Sequence, residues 1–201
     1  MNDALTFLSR QKIFRNIIEQ YGVPVIPMRP QGFQTLVLLI LEQQVSIDSA
    51  KATFRQIKLQ FPNMLPEELA GVSADDFRVL GVSRQKAGYI SGLARAILDK
   101  TIDLESFPHK TAGQVRAELL ALKGIGNWTA DIYLMFCLQS PDIIPLGDIA
   151  IVRTIRELLD IHTKEEMEFA ALQWAPHRSM AAYLLWHHYL QKRNRKIDYS
   201  V

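Results

Sequence analysis

The chain has 201 residues, 48% hydrophobic and 22% charged, with a formal net charge of +2 and a single cysteine. That length suits one domain or two small lobes, and the apolar fraction argues against disorder. One cysteine excludes an internal disulfide framework and a cysteine-ligated iron–sulfur centre, and the longest apolar run, Leu36 to Leu41, falls far short of the roughly 20 residues of a membrane span.

Helical periodicity runs through nearly the whole chain, and no segment shows sustained two-residue alternation, so the expected fold class is all-α. A first helix is expected over residues 3–21, stopped by Gly22 and then Pro24, Pro27 and Pro30. Residues 32–44 follow, apolar on most faces and therefore a buried central helix. Residues 47–61 make the third helix, ended by Pro62. Residues 66–70 start with proline in the first turn. The next piece opens on Ser73-Ala74-Asp75-Asp76, a capping-box variant with aspartate in place of glutamate, and ends at Gly81. A longer helix is expected over residues 83–100, and another from the Pro108 and Thr111 region to Leu122. Lys123-Gly124-Ile125-Gly126 breaks it, and Asn127 is the expected N-cap of a helix reaching Leu138. After a loop over residues 140–147, helices are predicted over 148–160, 163–174 and 178–191. The run Lys192-Arg193-Asn194-Arg195-Lys196 reads as a solvated tail, or alternatively as a phosphate-contacting arm. One domain is expected, with residues 32–110 as one lobe, residues 1–31 and 111–201 as the other, and a cleft between them.

The chemistry concentrates in two places. Leu119 to Ala130 reads as helix, Gly-apolar-Gly hairpin, helix. Its glycines let the backbone turn tightly and approach a ligand with no Cβ in the way, and Ile125 plugs the turn into the core. The helix that follows begins with unpaired N–H groups, a ready phosphate site that positions a nucleic acid without reading its sequence. A plain helical hairpin is the alternative. Asp148 lies 22 residues after Gly126, in Pro145-Leu146-Gly147-Asp148-Ile149. A carboxylate at the head of a helix is stabilised by the helix dipole, and taken alone it is an ordinary N-cap. Elsewhere Cys137 reads as a core residue, Asp131 as a surface residue with a weak claim to be a second acid, and the adjacent His187 and His188 as a poor metal pair.

Leu122-Lys123-Gly124-Ile125-Gly126-Asn127-Trp128-Thr129-Ala130, followed by Pro145-Leu146-Gly147-Asp148, resembles the helix-hairpin-helix (HhH-GPD) DNA glycosylase superfamily, in particular the compact form of its 3-methyladenine DNA glycosylase II branch. The resemblance extends to Leu41-Glu42-Gln43-Gln44-Val45-Ser46 and to Pro176-His177-Arg178-Ser179 with Tyr183-Leu184-Leu185-Trp186, so it spans about residues 32–189. Two helical lobes around a DNA cleft are implied, together with a damaged nucleotide flipped out of double-stranded DNA. Asp148 is implied as the catalytic carboxylate, stabilising oxocarbenium charge and orienting or deprotonating water. Trp128 stands where bifunctional relatives carry a lysine nucleophile, which implies a monofunctional glycosylase that leaves an abasic site uncut. Its ring is a candidate pocket wall for a cationic base, with core packing as the alternative.

Ile132 and Ile149 stand where some members have pocket aromatics, and His177 where the branch often has a rim aromatic; these departures leave another base lesion open as substrate. Tyr133, the neighbour of Ile132, is turned roughly 100° away on the helix. Lys123, Gly124, Ile125, Gly126, Asn127 and Thr129 are the implied phosphate-contacting hairpin. Gln43 and Gln44 form the implied loop that fills the hole left by the flipped base, Gln44 aligning best with the wedge; polar closure of a helix is the alternative. The family's hairpin commonly holds Na+ or K+ through main-chain carbonyls, here those of Leu120, Leu122 and Gly124. No other cofactor and no iron–sulfur cluster is expected. With about 31 residues before the core, an additional N-terminal β-rich domain is not expected, and neither is a secretory leader. The implied protein is a monomer, free of membranes, in the cytoplasm, at the nucleoid of a bacterium or in a eukaryotic nucleus. A non-catalytic DNA-binding module is the remaining alternative.

Overall fold

A computed structural model describes residues 2–197, and among these every regular element is helical, in keeping with the all-α expectation. The chain divides into two compact units: residues 29–138, a single central stretch, and residues 2–28 joined by 139–197, built from the two terminal stretches. The terminal unit opens with α1 (Asn2–Leu8) and α2 (Lys12–Tyr21). The central unit carries α3 (Phe33–Glu42), α4 (Ile47–Gln60), α5 (Pro66–Leu69), α6 (Ala74–Val79) and α7 (Arg84–Leu98). A 3-10 turn at Phe107–His109 then leads to α8 (Ala112–Leu120) and α9 (Asn127–Phe136). The terminal unit resumes with α10 (Ile149–Leu159), α11 (Lys164–Leu172) and α12 (Arg178–Gln191).

The division differs from the expected one. Residues 111–138 belong with 29–110, because α9 packs on α3 as well as on α8. The first helix is also two helices. The buried residues of this stretch are Ala4 and Leu8, then Phe14 and Ile17. The six-residue step from Leu8 to Phe14 is no multiple of a helical repeat, so the apolar face can be kept only by breaking the helix. The break is stabilised locally: Ser9 Oγ donates to the Thr6 carbonyl at 3.0 Å, and Arg15 donates to the carbonyls of Ser9 at 3.1 Å and Arg10 at 3.3 Å.

Hydroxyl caps start most helices where the sequence places Ser or Thr. Ser46, Ser73 and Ser83 accept N–H groups three residues on, and Thr111–Gln114 and Thr163–Glu166 form reciprocal capping boxes. Each such cap contributes about 0.5–2 kcal/mol. Ser73 departs from the expected box, since its hydroxyl also donates to the Asp76 carboxylate at 2.6 Å.

In the central unit α3 is the core element: Leu36, Val37, Leu38, Leu39 and Ile40 are fully buried, and the helix packs against α4, α7 and α9. Both ends of α3 are pinned. The Gly32 N–H donates to the Tyr133 hydroxyl at 2.9 Å, and burial pushes that phenol's pKa above its ordinary value. At the other end Glu42 takes two bonds from Arg29, at 2.7 and 2.9 Å, with the side chains only 4% and 1% exposed. In the terminal unit α12 is the hub, packing on α10, α2 and α1. Nearby, Phe14 meets Trp174 edge-on at 5.3 Å, and the Trp174 indole donates to Gln11 at 3.0 Å.

Candidate active site

The candidate residues fall into two sets, one in each unit. In the central unit the hairpin joins α8 to α9. Its first glycine is obligatory: Gly124 has φ +93°, and a Cβ there would lie 2.1 Å from the Tyr89 ring of α7. Tyr89 is held in turn by Gln85, whose amide donates to the phenol oxygen at 2.7 Å. Gly126 is different. Its φ of −100° suits any residue, and a Cβ there would meet nothing within 4 Å. Its bare backbone faces open space, as a close-approaching ligand requires. Ile125 is buried as expected, and Lys123, Gly126 and Asn127 are exposed.

Gly126, not Asn127, is the N-cap of α9, and no side chain caps that helix. Asn127 is therefore already helical, and its amide is displaced from the capping position. The start of α9 is thus left to backbone N–H groups, the arrangement that binds anions. Behind the hairpin, Asp131 is buried instead of lying on the surface. It is ion-paired with Arg116 of α8; burial raises its pKa and the guanidinium opposes that rise. The pair ties the two hairpin helices together.

The loop from α3 to α4 carries the two glutamines, and they separate. Gln44 is exposed and its backbone is left-handed, φ 59°. Gln43 turns inward: its amide donates to the Gly124 carbonyl at 2.8 Å and to the Thr129 hydroxyl at 3.0 Å. Gln43 and Thr129, both expected at the DNA, thus bond each other within the protein. Thr129 is 1% exposed with its hydroxyl occupied, so its side chain supports the hairpin from within. The Gln43 amide does the same from the loop. Trp128 is half-buried in the first turn of α9, and Ile132, one turn on, is 3% exposed.

In the terminal unit Asp148 is the N-cap of α10. Three N–H donors converge on its Oδ1: Ala150 at 2.9 Å, Ile151 at 3.1 Å and the Trp186 indole at 3.0 Å. The first two are set by the helix start. The third comes from α12, 38 residues away, so Trp186 helps to orient the carboxylate, a bond that no local sequence pattern announces. The same helix fixes the loop leading to Asp148. Arg178 grips Asp142 at 2.7 and 2.8 Å and holds that carboxyl below its usual pKa, while Ser179 Oγ donates to the Ser140 carbonyl at 2.6 Å and accepts the Ile143 N–H at 3.0 Å. Ile149, next to the carboxylate, is 63% exposed. His177, the N-cap of α12, meets the Phe7 ring edge-on at 5.2 Å.

The adjacent histidines serve separate partners: His187 contacts the Tyr21 carbonyl at 2.9 Å and His188 the Glu157 carboxylate at 2.9 Å. The basic run after α12 is partly folded back, Lys192 pairing with Glu157 at 2.6 Å and Arg193 lying 3.9 Å over the Tyr189 ring. Among the described residues no helix is long and apolar enough to cross a membrane.

Residues 37–177 match the family described as HhH-GPD superfamily base excision DNA repair protein. Bacillus subtilis YfjP is 34% identical over 197 residues, 92% of this chain and 68% of its own length. Two solved structures superpose with a TM-score of 0.81 each. A DNA-3-methyladenine glycosidase from Bacillus halodurans is 29% identical, over 94% of this chain and 89% of its own. The Schizosaccharomyces pombe 3-methyladenine DNA glycosylase in complex with abasic DNA is 26% identical, over 92% of this chain and 95% of its own.

Proposed function

The chain belongs to the HhH-GPD superfamily of base excision DNA repair proteins, and on that footing we propose that it is a monofunctional DNA glycosylase excising alkylated purines of the 3-methyladenine and 7-methylguanine type from duplex DNA. The observation that carries this reading is Asp148, a carboxylate aimed by three N–H donors at the head of α10 and preceded in sequence by an uncapped Gly-Ile-Gly hairpin.

The hairpin amides and Lys123 hold backbone phosphates. Gln44 occupies the gap as the damaged nucleotide leaves the stack, at a cost of a few kcal/mol that is least for a damaged base. The N-glycosidic bond then breaks with its electron pair going to the base, and positive charge develops on the sugar. Asp148 stabilises that charge, orients the water that adds to the anomeric carbon and accepts the proton that the water loses. An alkylated purine leaves as a neutral molecule because it starts as a cation, so no second carboxylate is needed. This agrees with Asp131 being bound to Arg116. Trp128 offers a ring face to the cation and no amine, so no Schiff base forms and the strand stays uncut. Of the other residues assigned to the base in this reading, Ile132 belongs to the central unit and Ile149 and His177 to the terminal unit. The protein acts as a monomer wherever its DNA lies.

The carbonyls of Leu120, Leu122 and Gly124 suit a hard monovalent cation. Leu120 is in the last turn of α8, where carbonyls lack an onward helical donor. Leu122 and Gly124 each accept one bond, from the Ile125 N–H and the Gln43 amide, and keep a second lone pair. Bound there, Na+ or K+ would supply fixed positive charge beside a phosphate.

The test is base release from methylated duplex DNA, resolving 3-methyladenine from 7-methylguanine, for the native protein and Asp148→Asn. Asparagine caps helices as well as aspartate does, so the fold is retained while the charge is lost. The expected result is release by the native protein with an intact backbone, and a fall of about 10²-fold or more in the variant. Equal rates in both would remove Asp148 from the chemistry. Salt-sensitive DNA binding without release from methylated DNA would redirect the reading to another lesion.

A further inference from the structure

A non-glycine residue persists in the left-handed region only where its surroundings over-determine the conformation. Gln44 sits there, and the residues before it are held from another helix. Lys86 of α7 donates its Nζ to the Leu41 carbonyl at 2.7 Å and to the Gln43 carbonyl at 2.8 Å. Both lie at the C-terminal end of α3, where carbonyls have no onward helical partner and a cation is favoured by the helix dipole. Gln43, its carbonyl so gripped, sends its side chain the other way, to Gly124 and Thr129 of the hairpin. One turn beyond Lys86, Tyr89 supplies the ring on which Gly124 rests. A single stretch of α7 therefore touches both the glutamine loop and the hairpin.

We propose that Lys86 is a positioning residue: by gripping the carbonyls of Leu41 and Gln43 it fixes where the Gln44 tip stands relative to the hairpin, so that loop and hairpin meet DNA as one preset part. The proposal rests on the reading of Gln44 as the wedge. A lysine serving only to cap α3 would influence stability alone. A lysine that sets the tip influences the preference for a duplex with a gap to fill.

The experiment measures affinity at fixed salt for an undamaged duplex and for one carrying a stable tetrahydrofuran abasic analogue. The proteins are the native chain, Lys86→Met, Lys86→Arg, Gln44→Ala and the Lys86→Met/Gln44→Ala double variant. Lys86→Met keeps the apolar stem and loses both hydrogen bonds. It is expected to lower the abasic preference about tenfold, the scale of a charge-assisted hydrogen bond, with undamaged-duplex affinity unchanged within about twofold. Lys86→Arg is expected to recover at least half of the loss. The double variant should lose no more than Gln44→Ala alone, since the two residues act on one contact. If Lys86→Met does not fold, Lys86→Gln, which keeps an amide N–H donor group but loses the charge, takes its place. Equal losses on both duplexes, full additivity in the double variant, or an inert Lys86→Met beside a selective Gln44→Ala would overturn the role of Lys86. An inert Gln44→Ala identifies failure of the wedge reading itself, and the proposal falls with it.

Discussion

The two hairpin glycines look equivalent in sequence and are not. Gly124 is required by its own backbone and by the Tyr89 ring, whereas Gly126 is required by neither. Gly124→Ala is expected to cost at least about 2 kcal/mol, from left-handed strain plus a displaced ring, read by chemical denaturation. Gly126→Ala is expected to cost less than about 1 kcal/mol, chiefly as a poorer N-cap, yet to weaken duplex DNA binding about fivefold or more by blocking phosphate approach. Loss of stability in Gly126→Ala equal to that in Gly124→Ala would contradict the division of labour. Asp148 was legible as a helix-initiating carboxylate because capping is local. The partner of Gln43 was not legible for the opposite reason: a glutamine closing an apolar helix needs a partner, and this one lies 81 residues downstream, at Gly124. Trp186 was equally out of reach, since its bond to Asp148 spans 38 residues.

Among the elements, α3 shows what pattern can and cannot reveal. Its unbroken apolar run announced a buried helix; nothing in the run announced that Glu42, an anion at the unfavourable end of the helix dipole, would be neutralised by Arg29. Arg29→Met is expected to destabilise the protein by about 3–5 kcal/mol, because it strands a buried carboxylate, and Glu42→Gln in that background is expected to return part of the loss. Thermal melts of the single and double variants read the difference; an additive double variant would show the pair is not coupled. The break between α1 and α2 was legible in principle, through the six-residue step from Leu8 to Phe14, and was hidden by a helix-friendly polar stretch. The N-cap of α9 was misplaced by one residue because asparagine's propensity points to Asn127, while the extended backbone that a cap needs falls on Gly126.

For the whole molecule, acid sensitivity is unevenly distributed. Asp142, Glu157 and Glu166 have pKa values below their ordinary 3.8 and 4.5, held down chiefly by hydrogen bonds from Arg178, from Lys192 and His188, and from Thr163 respectively. All three belong to the terminal unit. A depressed carboxylate contributes stability above its unfolded pKa and loses it as pH falls through the folded one. Asp131, in the central unit, is shifted upward by burial, so protonation between its unfolded and folded pKa relieves that unit. Below about pH 4.5, hydrogen exchange is therefore expected to rise first in residues 2–28 and 139–197, modestly, since these groups are partly solvent-screened. Faster exchange in residues 29–138 would reverse the assignment. The expected lobe boundary near residue 110 could not foresee this partition, because the contact of α9 with α3 joins positions roughly a hundred residues apart.

The interrupted terminal unit also sets an order of assembly. All of residues 29–138 leave the ribosome before Gln139, so the helices that make up the central unit are complete in the nascent chain early. The terminal unit must wait for α12, the hub on which α1, α2 and α10 pack. Asp148 is therefore synthesised well before the Trp186 indole that orients it. The central stretch is thus complete on the growing chain as one continuous run, whereas the Asp148 carboxylate meets the indole that orients it only after a further 38 residues have been added.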